Sequence, residues 1–246
     1  MFLGCAIAKR TDSPEPDVAG KTAIRKPPVK VRVKSAPRKA AHARARVPNV
    51  ERSALTRLRL VEATVQCLYE LGYHQTSTVV VTQRAKVSRG AMLHHFPSKA
   101  DLMMATMDHI RGKRGEAHRK HLEKITTERE QFLQLIDVLW EEFQTPTGVA
   151  RIELMLGSRN DPELGPRFSK LNLELEVIHK ELIWSRAQRL GIRNRKKVDA
   201  FTQLYAAAVR GLAIDALWPQ SMPDIKGAIA LLKEAQLNLL ETLAEK

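Results

Sequence analysis

Residues 72–102 decide the fold, and they read GYHQTSTVVVTQRAKVSRGAMLHHFPSKADL. The Thr-Ser-Thr run at 76–78 offers an N-cap for a short helix, and Ser88 offers one for a second. Pro97 ends that second helix, because proline has no N–H to donate and its ring blocks continuation. Two short helices joined by a tight connection form a helix-turn-helix, which the sequence places at about residues 77–96.

The valine triplet at 79–81 would by itself suggest a β-strand, but the capping signals that follow favour helix. In the second short helix, Val87, Met92 and Phe96 have the spacing of an inward face. This assignment leaves a second set of residues, several of them small, free to approach another surface: Arg89, Gly90, Ala91, Leu93 and His94.

Two longer helices flank this unit. The first begins at Ser53, carries apolar residues at spacings of three and four, and ends at Gly72. The second is capped by Ser98, with Asp101 in its first turn, where a carboxylate favours the helix dipole. The predicted domain is therefore a small helical bundle around the helix-turn-helix.

This segment resembles the DNA-binding domain of the tetracycline-repressor (TetR) family of bacterial regulators. The likeness covers about residues 54–114, and its most specific part is V-S-x-G-A-x-x-H-H-F-P-S-K-x-x-L, from Val87 to Leu102. Two positions depart from the family pattern: Lys86 stands where glycine is usual, and Leu93 stands where tyrosine is usual. Leucine has no hydroxyl to donate to a DNA phosphate.

The resemblance implies a DNA-contacting surface on the helix-turn-helix. Arg89 is the candidate for reading a guanine edge, and Lys99, at the positive start of a helix, is a candidate phosphate ligand. Gly90 and Ala91 allow close approach or contact a thymine methyl. The full predicted set is Ser77, Thr78, Lys86, Ser88, Arg89, Gly90, Ala91, Leu93, His94, His95 and Lys99.

The family glycine at position 86 also predicts a left-handed backbone there. Glycine adopts this conformation freely, whereas a residue with a β-carbon does so at a cost of about 1–2 kcal/mol. Either the lysine is tolerated drift, or its ammonium contacts a DNA phosphate.

Charge is concentrated at the N-terminus. The 246-residue chain carries 41 Lys and Arg against 27 Asp and Glu, and 12 of those basic residues fall within residues 1–50. From Val18 to Val50 there is no acidic residue, while four prolines disfavour helix. We predict a disordered basic arm over residues 1–50, and it is a solubilising extension, a nonspecific DNA-contacting arm or a membrane-surface segment.

The remainder, residues 115–246, is predicted to be helical throughout, with no repeat or strand alternation. The last two helices, from about Val198 to Leu217 and from Asp224 to Ala244, have apolar stripes wider than one contact face requires. The resemblance implies that they form a four-helix bundle with a second subunit, and that the central helices enclose an effector pocket. The predicted domains are thus residues 1–50, 51–114 and 115–246 of an all-α chain.

Bulky residues on the central helices are the candidates for lining that pocket, although ordinary core is the alternative for each. A scarcity of inward charges favours an apolar or aromatic effector. The candidates are Met103, Met107, Phe132, Trp140, Met155, Trp184, Phe201 and Tyr205.

Other functions find little support. His118 and His121, with Glu116 nearby, lack a convincing third metal ligand, and no phosphate loop or nucleophile motif is present. Two cysteines and no apolar run of membrane-spanning length favour a reduced, cytoplasmic protein without cofactor. We expect a ligand-responsive, homodimeric repressor that binds a pseudo-palindromic operator. The alternatives are an architectural DNA-binding protein that uses its basic arm and, more remotely, an enzyme with an appended DNA-binding domain.

Overall fold

The computed structural model describes residues 49–218 and 224–244, so the predicted basic arm lies almost entirely outside the described residues. The described residues are all-α, as predicted, and none of their helices is long and apolar enough to cross a membrane. The helices are α1 (Asn49–Gln75), α2 (Thr78–Ala85), α3 (Arg89–His95), α4 (Lys99–Leu122), α5 (Glu128–Leu133), α6 (Leu135–Phe143), α7 (Pro146–Ser158), α8 (Leu164–Arg189), α9 (Arg195–Asp215) and α10 (Ile225–Ala244).

Helices α1 to α3 pack around one apolar cluster that the first turns of α4 complete. Met92 and Phe96 are buried in it, and Val87 packs against its edge, so the inward face predicted for this segment is confirmed. The valines at 79–81 are helical, and of the three only Val81 is fully buried. A strand would place Val79 and Val81 on the same face, whereas Val79 is 50% exposed and Val81 is buried, as expected in a helix.

Helix boundaries in this domain follow the capping signals of the sequence. Gly72 has φ 77° and ψ 174°, which interrupts α1 at the residue where the sequence predicted its end. At the start of α4, Ser98 Oγ accepts from the Asp101 N–H at 3.1 Å, and the Asp101 carboxylate accepts from the Ser98 N–H at 3.1 Å. This capping box fixes where α4 begins.

The C-terminal helices enclose a second core that includes Phe132, Ile136, Ile183 and Tyr205. The spacing of Phe132, Leu135, Leu139 and Phe143 in the sequence predicts one helix, but Gln134 separates α5 from α6. The Gln236 amide holds this break by donating to the backbone carbonyl of Phe132 at 2.6 Å. A contact across 104 residues cannot be read from local sequence.

Tyr73 joins the N-terminal helices to α7. Its backbone N–H donates to Glu153 at 2.9 Å, and its hydroxyl donates to Asp161 at 2.6 Å. Burial and the Asp161 carboxylate raise the pKa of this phenol. Its ring lies against Gly157, where a β-carbon would stand 2.1 Å from Tyr73 Cγ. Glycine at 157 therefore sets how closely α7 approaches α1.

Candidate DNA interface and internal cavity

The helix-turn-helix is fixed by two serine caps. Ser77 Oγ accepts from the Val80 N–H, and Ser88 Oγ accepts from the Ala91 N–H, each at 3.2 Å. These bonds satisfy backbone donors that the first turns of α2 and α3 would otherwise leave unpaired. The two hydroxyls thus have structural roles, and their predicted DNA contacts remain predictions.

The turn between α2 and α3 is left-handed at Lys86, with φ 53° and ψ 46°. The Lys86 N–H donates to Gln83 O at 3.2 Å, and the Val87 N–H donates to Thr82 O at 3.0 Å. This pair of bonds is a Schellman motif, whose left-handed position usually holds glycine. The predicted conformation of Lys86 is confirmed, and among the described residues no other non-glycine has a positive φ.

One face of α3 is open to solvent. Arg89, Gly90 and His94 are exposed, Leu93 is 44% exposed, and Ala91 is half-buried. A β-carbon on Gly90 would meet nothing within 4 Å, so the backbone is accessible to a partner there. Such a face, small and basic near the helix N-terminus, has the shape and charge to enter a DNA major groove. Thr78 is half-buried at the start of α2, and Lys86 is exposed at the turn.

Two of the predicted DNA contacts are turned partly inward. The Lys99 ammonium donates to the Tyr73 carbonyl at 3.3 Å and lies 4.1 Å from the centre of the Tyr73 ring. Burial lowers the pKa of Lys99. His95 is half-buried beside Phe96, and burial, then the neighbouring His94 and Arg57, lowers its pKa. Lys99, which the sequence suggests as a phosphate ligand, thus has partners within the protein, and its DNA contact remains a prediction.

A cavity of about 830 Å³ lies between the N-terminal helices and the C-terminal bundle. Part of its wall is apolar, formed by residues such as Leu135, Val138 and Leu139 of α6 and Tyr205 of α9. Helices α1 and α2 also reach it, through residues that include Glu62 and Arg84. The size suits a small organic ligand, and an occupant would contact the helix-turn-helix domain and the bundle at once.

Charged and ionisable groups form another part of the cavity wall. Arg114 Nε lies 2.8 Å from Glu142, and Arg151 lies 3.2 Å from the same carboxylate. Burial, and after it repulsion from Arg114, lower the pKa of Arg151 to about 10. Attraction to Glu142 opposes this shift. His179 of α8 lies 3.1 Å from the Tyr205 hydroxyl. Two guanidinium groups thus share one carboxylate beside the cavity.

Both central histidines of this wall are held neutral. Burial lowers the pKa of His118 to about 4, with further lowering by Arg186 and Arg114. Burial also lowers the pKa of His179 to about 4, with further lowering by Arg114 and Arg151. The low values follow from a desolvated site that already holds surplus positive charge.

The predicted pocket residues mostly lie elsewhere. All eight are in the described part of the chain, and Tyr205 is the one that lines the cavity. Met103, Met107 and Phe132 are core; Met155 lines a separate surface recess; and the others pack at the edge of the C-terminal core: Trp140, Trp184 and Phe201.

The expectation that inward charges are scarce is wrong for this cavity, whose polar lining the search for bulky residues missed. A signal was present in α4, where Arg114, His118 and His121 follow one another at helical spacing. Within the described residues, no three potential metal-ligating side chains come together.

Comparison with known proteins identifies the helix-turn-helix segment. The sequence model described as "Bacterial regulatory proteins, tetR family" matches residues 60–106. The chain is similar to the HTH-type transcriptional regulator CymR of Pseudomonas putida, with 29% identity over 168 residues, which are 68% of this chain and 82% of CymR. It is 31% identical to an HTH-type transcriptional regulator of Mycobacterium tuberculosis over 114 residues, 46% of this chain and 58% of that relative.

The fold is also similar to that of solved structures. One is a transcriptional regulator from Saccharomonospora viridis crystallised in complex with choline, with a TM-score of 0.59 and 15% identity over 76% of this chain and 96% of that one. At this identity the likeness concerns the fold alone.

Proposed function

Because the chain belongs to the TetR family of bacterial regulators, we propose that it is a ligand-responsive repressor that binds a pseudo-palindromic operator as a homodimer. The observation that carries the proposal is the open face of α3, which combines an exposed arginine with small residues on a rigid, doubly capped helix-turn-helix. Regulation rather than turnover is the proposed activity, and the cytoplasm, where bacterial DNA lies, is the proposed location.

The proposed dimer forms through α9 and α10. Both helices leave large apolar side chains exposed: Leu204 is 58% exposed on α9, and Leu231 is 67% exposed on α10. Exposed apolar residues on two adjacent helices support a partner surface. A two-fold pair of recognition helices would also read two half-sites, which explains why a single α3 per chain is sufficient.

The proposed response to ligand works through the cavity. Arg84 lines it from α2, two residues before the left-handed turn, and forms a two-pronged ion pair with Glu70 of α1. An effector would therefore touch the helices that carry the recognition surface. If it binds more tightly to the arrangement that cannot engage the operator, it shifts the population toward that arrangement and releases DNA.

Footprinting on genomic fragments captured by the purified protein tests this function. We expect a protected site with two-fold symmetry. Arg89→Ala should weaken binding to that site by about 1–3 kcal/mol and relax base preference at one position in each half-site. Arg119→Ala, which removes an exposed arginine far along α4, is the matched control and should change neither.

A footprint without symmetry would contradict the proposal, as would equal losses from the two substitutions.

The basic arm gives a separate measurement. If residues 1–48 bind phosphates nonspecifically, deleting them should flatten the slope of log affinity against log salt by about 0.9 per lost contact, with the preferred sequence unchanged. An unchanged slope would exclude the arm as a DNA-binding element.

A further inference from the structure

Two buried nitrogen atoms on the facing sides of α4 and α8 have no hydrogen-bond partner among the described residues. They are His118 Nε2 and Arg186 Nη1. Arg186 is only 7% exposed, so its guanidinium is largely removed from water. Leaving a buried charged donor unpaired is costly, and such a group usually has a partner that is an ion, a water or a ligand.

The two groups face the same space. His118 and Arg186 line a recess of about 500 Å³ between α4 and α8, together with Leu122, Gln131 and Leu182. His118 also lines the main cavity, so it belongs to the wall of both spaces. The unpaired donors therefore lie at the end of the candidate effector site that His118 lines, where α4 faces α8.

Positive charge exceeds negative charge at this end. Glu142 is shared by Arg114 and Arg151, as described above, and is thus already occupied. Glu128 is the carboxylate whose attraction raises the pKa of Arg186, but that group forms a bidentate ion pair with Arg189. Glu123 lines the recess, but its side chain is 65% exposed and lies 3.9 Å from Arg119. Glu141 lines the cavity with a side chain that is 67% exposed. A cationic ligand would meet repulsion at this end.

The part of the cavity wall that α6 forms suits an apolar group. Leu135 and Leu139 are buried residues that line it, and Val138 lines it as well. A ligand that satisfies both ends carries an acidic group on an apolar body. A carboxylate fits the cationic end because its two oxygens accept hydrogen bonds from imidazole and guanidinium donors.

We propose that the effector is an organic carboxylate, with its acidic group at His118 and Arg186 and its apolar body along the α6 wall. This proposal rests on the ligand-responsive function proposed above and names the chemical class of the ligand. It adds an acidic group to the apolar or aromatic effector that the sequence suggests.

Matched pairs of acid and amide test the proposal, because each pair differs in charge and not in size. The probes are benzoate, 2-naphthoate and octanoate, with the three corresponding primary amides. Binding to the full chain is measured by isothermal titration calorimetry, and release of the captured operator is measured by fluorescence anisotropy. We expect at least one acid to bind about tenfold or more tightly than its amide and to release DNA.

Two variants then locate the acidic group. Arg186→Met keeps an unbranched apolar stem and removes the charged group, and His118→Leu serves if that variant does not fold. Each should reduce acid affinity about tenfold or more and leave amide affinity unchanged. Lys170→Gln, which removes an exposed charge of α8 that lines neither the recess nor the cavity, should have no effect. Melting temperature and operator footprint report whether each variant is folded.

Amides that bind as tightly as their acids would overturn the proposal, as would an absence of binding by all six probes or equal effects of the variants on acid and amide. Each of these results is compatible with an unchanged, symmetric operator footprint. Loss of a symmetric footprint in the unmodified chain would instead overturn the proposed function, so the two failures are distinguishable.

Discussion

Replacing Lys86 by glycine should stabilise the protein, because Lys86 occupies a left-handed position in the Schellman motif that ends α2. A β-carbon in this conformation costs about 1–2 kcal/mol, which glycine avoids. Glycine also gives the unfolded chain more freedom, which offsets about 0.5–1 kcal/mol of that gain. We therefore expect the free energy of unfolding to rise by about 0.5–1 kcal/mol, or roughly 1–4 °C in melting temperature for a domain of this size.

The assay is urea unfolding followed by circular dichroism, at one fixed protein concentration because a dimer's stability depends on concentration. Lys86→Ala is the matched control, since it removes the same charge but keeps the β-carbon. We expect the alanine variant to be no more stable than the wild type and the glycine variant to exceed both. The side chain is exposed, so neither change disturbs packing.

The same pair of variants separates backbone from charge in DNA binding. If the Lys86 ammonium contacts a phosphate, both variants should lose about 0.9 from the slope of log affinity against log salt. If the lysine is tolerated drift, neither slope changes. A glycine variant no more stable than the alanine variant would refute the argument from left-handed strain.

Three further predictions follow from the packing and charge of the bundle. Gly157→Ala should lower the free energy of unfolding by about 1–3 kcal/mol, because the new methyl would overlap the Tyr73 ring; Gly112→Ala, where the added carbon meets open space, should not lower it. Urea midpoints should fall as pH drops from about 6.5 toward 4. His118 and His179 have pKa values of about 4 in the folded chain and near 6.5 in the unfolded chain, so the unfolded chain binds more protons over this range and is favoured. A midpoint constant over that range would contradict their burial as neutral groups. Finally, acid probes should bind more tightly at pH 5.5 than at pH 7.5, because an anion beside His118 raises the pKa of that histidine. Calorimetry in two buffers of different ionisation enthalpy should detect the proton uptake that accompanies binding. Binding without proton uptake would place the anion elsewhere.

The helix-turn-helix was predictable because each of its determinants is local. Serine caps at 77, 88 and 98 act on backbone groups three residues away, and the left-handed turn follows from a single position. Even the valine triplet at 79–81, whose β-branched residues have low helix propensity, is helical because serine caps lie within ten residues on either side. The break between α5 and α6 was not predictable, because the amide that stabilises it comes from Gln236.

The cavity was harder to predict because helices distant in the sequence enclose it, yet the residue pattern of α4 indicates part of its wall. Met103, Met107 and Ile110 form the buried stripe of its first half. At spacings of four, four and three the same stripe continues through Arg114, His118 and His121, which line the cavity. A helix face that changes from apolar to ionisable while keeping its register has left the packed core without turning to the outside. Bulk therefore does not predict the lining of this cavity: large apolar residues fill the space between helices, whereas ionisable residues on an inward stripe need a polar partner, water or a ligand beside them.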